Sequence, residues 1–219
     1  MFSLRPNVNQ TQCQRGLTLL ETVVVMAILV ALAAMIIPVL GNMRFGGAGK
    51  NRTAQQIATA ATLAAVRDAI LGSSAQPGLW QDLNQQPNYF PQSIADLYRA
   101  STNLPPQFQT FNPVIRLGWR GPYLNASDAR YTVDGTNFTS TYGNDGDPAI
   151  LDAWGRTIVL QVPQVAGETL ANEIQNARLV SPGPDGIIQT PNNILTPSQI
   201  APADRGDDVV LFLFAPDPQ

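Results

Sequence analysis

From Gly16 to Gly41 the chain reads GLTLLETVVVMAILVALAAMIIPVLG. Between Leu17 and Ile37 its only clearly polar residues are Thr18, Glu21 and Thr22. Those 21 residues, at about 1.5 Å rise each, span roughly 30 Å as a helix, the hydrocarbon thickness of a bilayer. A helix buried in a soluble core rarely stays apolar on every face for this long, so the stretch reads as a membrane helix. Glu21 is its oddity. A carboxylate inside a membrane helix costs on the order of 2.5–3.5 kcal/mol at the bilayer centre, less near the interface, and usually marks a function.

The flanks give the stretch a direction. Residues 1–15 are polar and carry Arg5 and Arg15 with no acidic residue; Arg15-Gly16 then abuts Leu17-Thr18-Leu19-Leu20-Glu21. A short basic leader, a glycine, a glutamate five residues later and an apolar run together resemble the class III signal of type IV pilins and pseudopilins. The resemblance implies that prepilin peptidase cuts between Gly16 and Leu17 and methylates the new amino group. Phe usually follows the cut in that family, and Leu17 departs from it. Pro38 falls where many members carry a helix-kinking proline. An ordinary secretory signal fits worse, because its apolar core runs about 7–15 residues and ends at the cut; the cut that the resemblance implies precedes the run, so the anchor would be kept. Cleavage would expose a positive amine at Leu17. Glu21 of a neighbouring subunit can pair with it inside the membrane, where an unpaired charge is costly.

The length of 219 residues suits one anchor and one domain of ordinary size. The whole chain has 13 Lys+Arg and 16 Asp+Glu; without Arg5 and Arg15 the side-chain balance moves from −3 to −5. No broad basic excess signals a nucleic-acid groove. The single cysteine, Cys13, lies in the leader that the resemblance implies, so the processed chain would have no disulfide with which to staple its loops. There is no histidine, which removes the commonest general base and zinc ligand.

Beyond the anchor, residues 42–50 are glycine-rich. Residues 51–72 read as a helix, rich in alanine and stopped by Gly72. Ile57, Ala61, Ala64 and Ala65 make one helical stripe and Leu63, Val66 and Ile70 another beside it, giving a broad face to pack on a sheet. Residues 73–113 read mostly as surface loop, with a short helix at 93–100 capped by Ser93. Trp119 and Tyr123 read as core or cover aromatics. DGTN and GNDGDP read as turns around a short strand within 125–151. DAWGR (152–156) is a turn. In the strand after it, Ile158, Leu160 and Val162 alternate with Thr157, Val159 and Gln161. Residues 168–178 are a short helix or an inserted loop. A second strand with a Pro-Gly turn follows at 177–188, and an acidic turn with the last strand at 205–214.

The order GPYL (121–124), DAWGR (152–156), SPGPDG (181–186) and DDVVLF (207–212) resembles the C-terminal half of the major pseudopilin of type II secretion systems. The resemblance implies an α+β, pilin-like fold: residues 1–16 a leader, 17–41 a transmembrane and polymerisation helix, 42–72 a flexible segment and amphipathic helix, 73–219 a periplasmic region with a small antiparallel sheet. It also implies a structural Ca²⁺ between the last two motifs, with Asp185, Asp207, Asp208 and Ser181 as ligands. Calcium takes six to eight hard oxygens, which carboxylates on two loops can supply, and a metal tie would stand in for the missing disulfide. Residues 187–204 make the connection longer than the family's. The plainer reading leaves Asp185 as a turn residue and 204–208 as a solvated acidic turn. The RGD at 205–207 is explained by turn chemistry.

The resemblance thus implies a non-enzymatic filament subunit. It is anchored in the inner membrane with its N-terminus cytoplasmic, and it self-associates with the help of an inner-membrane assembly platform and other, minor pseudopilins. Two alternatives stay open: a pilin of a type IV pilus, serving adhesion, motility or DNA uptake, and an anchored extracytoplasmic enzyme. The lack of a histidine, nucleophile elbow or P-loop argues against the last.

Overall fold

The computed structural model describes residues 53–125 and 127–214. Helix α1 spans Ala54–Leu71. Thr53 and Gln56 exchange side-chain and backbone hydrogen bonds in a capping box that opens the helix. At the other end Gly72 adopts φ 92° and donates its N–H to Asp68 O at 2.8 Å, a backbone angle that favours glycine.

Three short strands form one antiparallel sheet in the order β1 (Val159–Gln161), β2 (Arg178–Ser181), β3 (Val209–Phe212). The register aligns Val159, Val180 and Val210 in one row and Leu160, Leu179 and Leu211 in the next. Side chains alternate across a sheet, so these rows serve opposite faces. The leucine row joins Leu63, Val66 and Ile70 of α1 in the larger core. The valine row and Phe212 lie under Tyr131, Ala149 and Ile200 in a second, smaller core. Both faces of the sheet are therefore covered. The helix between β1 and β2, left open from sequence, forms as α3 (Leu170–Gln175), after a single turn α2 (Leu79–Asp82) early in the chain. Another short turn, α4 (Pro202–Arg205), precedes β3.

Several expectations change. The stripe of Ile57, Ala61, Ala64 and Ala65 is not the packed face: Ile57 is 54% exposed, and Ala61 and Ala65 are exposed too. The buried face is Thr59, Leu63, Val66, Ala69 and Ile70, because α1 docks with that side on β2 and β3. Residues 73–113 are not simply surface loop. With little regular structure they still supply Leu79, Trp80, Leu83, Phe90, Ile94, Leu97 and Leu104 to the larger core, and Ser93 caps a 3₁₀ turn at Ile94–Leu97. The region 125–151 has isolated bridges, Arg130 to Pro148 and Leu151 to Thr157, rather than a strand. In β1 the alternation does not separate a wet face from a dry one, since Val159, Leu160 and Gln161 are all buried. Trp119 and Tyr123 do pack on the larger core.

Gln161 and Arg178 face each other across β1 and β2 and are both fully buried. Arg178 Nε donates to Gln161 Oε1 at 3.0 Å, while its Nη1 and Nη2 donate to the carbonyls of Ile194 (3.1 Å) and Pro191 (2.5 Å). The long connection 187–204 is thus tied by its own carbonyls to a cation in the middle of the sheet.

Candidate functional site

β2 ends at Ser181 and runs into a buried Pro182-Gly183. Gly183 has φ 65°, and a Cβ there would lie 2.6 Å from Asp207 O. Only glycine lets the SPGPDG turn approach the loop before β3 this closely. The approach brings Asp185, Asp207 and Asp208 into one hydrogen-bonded cluster. Asp207 Oδ2 accepts the Asp185 N–H at 3.2 Å. Asp185 accepts from Ile187 N–H at 2.7 Å and from the Gln189 amide at 2.5 Å. Asp208 Oδ2 accepts three bonds, from Gln189 N–H (2.9 Å), Thr190 N–H (2.7 Å) and Thr190 Oγ1 (2.7 Å).

Ser181 sits differently. Its hydroxyl is fully buried and donates to Asp152 Oδ2 at 2.6 Å. Asp152 Oδ1 in turn accepts Trp154 and Arg156 N–H, both at 2.8 Å, so Ser181 ties the DAWGR turn to the end of β2. The neighbouring Ala153 N–H donates to Thr59 Oγ1 of α1 at 3.1 Å. Gln189 and Thr190 are the members of the cluster that sequence did not reveal. They lie in an aperiodic, proline-flanked loop, and no spacing marks them.

The cluster is rich in oxygen. Asp208 Oδ1 and Gln189 Oε1 are buried and have no hydrogen-bond partner. Burial pushes the Asp208 carboxyl up to about 6; the bonds from Thr190 and Gln189 pull it down, and the neighbouring Asp207 adds to the rise. Two buried acceptor oxygens without donors cost free energy that a cation would recover. The oxygens at hand are carboxylates and the Gln189 amide, hard ligands of the kind that suit calcium and not zinc. Among the described residues no group of three or more His, Cys, Asp or Glu is arranged to hold a metal ion. A calcium ion here would therefore need more oxygens than the carboxylates alone supply.

Two further acids are already neutralised. Asp82, buried, accepts from Arg120 Nη2 at 2.8 Å and from Tyr123 of the GPYL segment at 2.9 Å. Asp147 of the GNDGDP turn pairs with Arg99.

Gly16, Leu17, Glu21 and Pro38 lie outside the described residues. Among the described residues no helix is long and apolar enough to cross a membrane. A family model described as the prokaryotic N-terminal methylation motif matches residues 11–37. That match spans the Arg15-Gly16-Leu17 junction, Glu21 and the apolar run, and it indicates a type IV pilin-like protein, of the kind that prepilin peptidase processes and that assembles into filaments. The motif is consistent with a membrane-anchored N-terminus, and the three-stranded antiparallel sheet with its few helices fits a pilin-like α+β fold. No curated protein and no solved structure matches the chain.

Proposed function

We propose that this type IV pilin-like chain is a structural, non-catalytic subunit of a type II secretion pseudopilus. In this reading the inner membrane holds Leu17–Gly41, the N-terminus is cytoplasmic and the domain is periplasmic. Subunits polymerise through their N-terminal helices on an inner-membrane platform, alongside minor pseudopilins, and the growing filament pushes folded cargo outward. The observation that carries the reading is the N-terminal methylation motif over residues 11–37. The meeting of the SPGPDG and DDVVLF loops around buried oxygens supports it. We also propose that Ca²⁺ ties those loops through Asp208 and Gln189, with Asp185 and Asp207 beside them. Bound there, the ion would supply positive charge to oxygens that otherwise lack a donor.

Deletion of the gene in its host tests the system. Loss of exoprotein secretion with surface pili intact supports the pseudopilus; loss of pili with normal secretion assigns the chain to a type IV pilus instead. Processing is tested separately. Gly16→Leu should leave the chain unshortened by prepilin peptidase, and a shortened product would move the junction elsewhere. Glu21→Ala should be cleaved normally yet fail to enter filaments, and normal filaments would remove the pairing with the Leu17 amine.

Calcium is tested on the full chain by calorimetry and by melting with and without chelator. A ligand at 100 times its Kd stabilises by about 2.7 kcal/mol, so the melting temperature should rise with calcium and the rise should vanish in Asp208→Asn. A curve identical in chelator would refute the metal and leave the filament reading standing.

A further inference from the structure

A second part of the domain is shaped for a ligand, away from the acidic loops. An apolar pocket of about 350 Å³ is walled by Leu83, Tyr89, Phe90, Leu104 and Trp119. Beside it lies a polar cleft of about 470 Å³ whose walls include Thr102, Ser140, Thr141 and Asn144. The two share Gln92, Asp96, Ser101 and Asn103, so they adjoin along the segment 92–103. These volumes fall in the range of small-molecule sites.

The aromatic rings are held in place. Trp119 Nε1 donates to Asp96 O at 3.0 Å, and the indole meets Tyr123 edge to face at 6.1 Å. Tyr89 is set against Phe108 at 5.5 Å. The charged groups of the cleft each have a partner within the domain. Arg99 pairs with Asp147, which also accepts Asn144 N–H at 2.9 Å. Asp96 Oδ2 accepts the backbone N–H groups of Gln92 and Ser93 at 2.9 and 3.3 Å. What faces a ligand is an aromatic wall beside hydroxyls and amides, with the paired Arg99 and Asp147 at the edge of the cleft.

That chemistry selects among ligands. A phosphate would want unpaired cations, and a metal would want uncommitted carboxylates. An alkyl chain would fill the apolar pocket and make no use of the hydroxyls and amides of the cleft. A molecule with apolar C–H faces, a rim of hydroxyls and no net charge satisfies both halves. We propose that the pocket and cleft form one binding groove for a neutral oligosaccharide of two or three rings, with a ring face against the aromatic wall and hydroxyls in the cleft. The groove is a property of the single subunit and does not depend on which filament the chain builds.

The test uses the full chain in a zwitterionic detergent that carries no sugar headgroup. Maltotriose, cellotriose and N,N′,N″-triacetylchitotriose are titrated while tryptophan fluorescence and heat are recorded. At least one should bind saturably with Kd at or below about 1 mM. Asn103 is exposed on the shared wall, so Asn103→Trp should block the mouth and abolish that binding at an unchanged melting temperature. Asn103→Ala, which removes only an amide, should weaken it several-fold. Failure of all three sugars to bind saturably overturns the proposal. So does a Kd that Asn103→Trp leaves unaltered.

Discussion

Arg178 ties the central strand to both β1 and the long connection 187–204. It is fully buried, and its three hydrogen bonds run to neutral oxygens: Gln161 Oε1 and the carbonyls of Ile194 and Pro191. The Phe212 ring lies 5.9 Å from its guanidinium carbon. Burial pulls the guanidinium down to about 10 and the phenol of Tyr142 pushes the other way, so the group stays charged at neutral pH. Removing it strands a buried amide oxygen and two carbonyls, each costing on the order of 1–3 kcal/mol unless water replaces the donor. Arg178→Met should therefore lower unfolding free energy by about 3 kcal/mol in urea titration. A loss under about 1 kcal/mol would mean that solvent reaches those carbonyls. In the sequence Arg178 is one arginine in a strand-like ARLV run; nothing local distinguishes it from a solvated residue.

At the scale of elements, α1 and the DAWGR turn hold one another. Local rules set where the helix begins and ends: a Thr53–Gln56 capping box and Gly72. They do not select its buried face. The two adjoining apolar stripes read as one broad face, yet only the Leu63, Val66 and Ile70 side is buried, and it includes a threonine. Thr59 is fully buried because its hydroxyl accepts the Ala153 N–H, which joins α1 to the turn that Asp152 organises. Thr59→Val keeps the shape and removes that acceptor. It should cost about 1–2 kcal/mol and speed amide exchange at Ala153 more than at neighbouring amides. Unchanged exchange there would assign the Ala153 N–H to water.

Across the whole molecule, three strands of three or four residues survive because both faces of the sheet are covered. One cover is α1. The other is assembled from 129–149 and from the long connection 187–204, which contributes Ile200 to the smaller core. The connection read from sequence as an overlong loop is thus a structural lid. It is fastened by Arg178 at its centre and by Asp208 at its start, through Gln189 and Thr190. Replacing 187–204 with a short Gly-Ser linker should expose Val159, Val180, Val210 and Phe212. The variant should then bind a hydrophobic dye and aggregate. A soluble, dye-silent variant would show that the smaller core closes without its lid.

Sequence by itself determined what depends on neighbours along the chain. A 21-residue apolar run behind Arg15-Gly16, with Glu21 inside it, is legible because hydrophobic length and cleavage chemistry are local. The helix at 54–71 and the turns at DAWGR and SPGPDG are legible because caps, glycine and proline act over a few residues. Only tertiary structure decided which face of α1 is buried, that Gln161 and Arg178 meet inside the sheet, and that residues 73–113 build core rather than surface. It also decided that Asp185, Asp207 and Asp208 gather through Gln189 and Thr190 while Ser181 turns to Asp152. Each of these depends on partners distant in sequence, whose distances and burial come into being when the chain closes on itself.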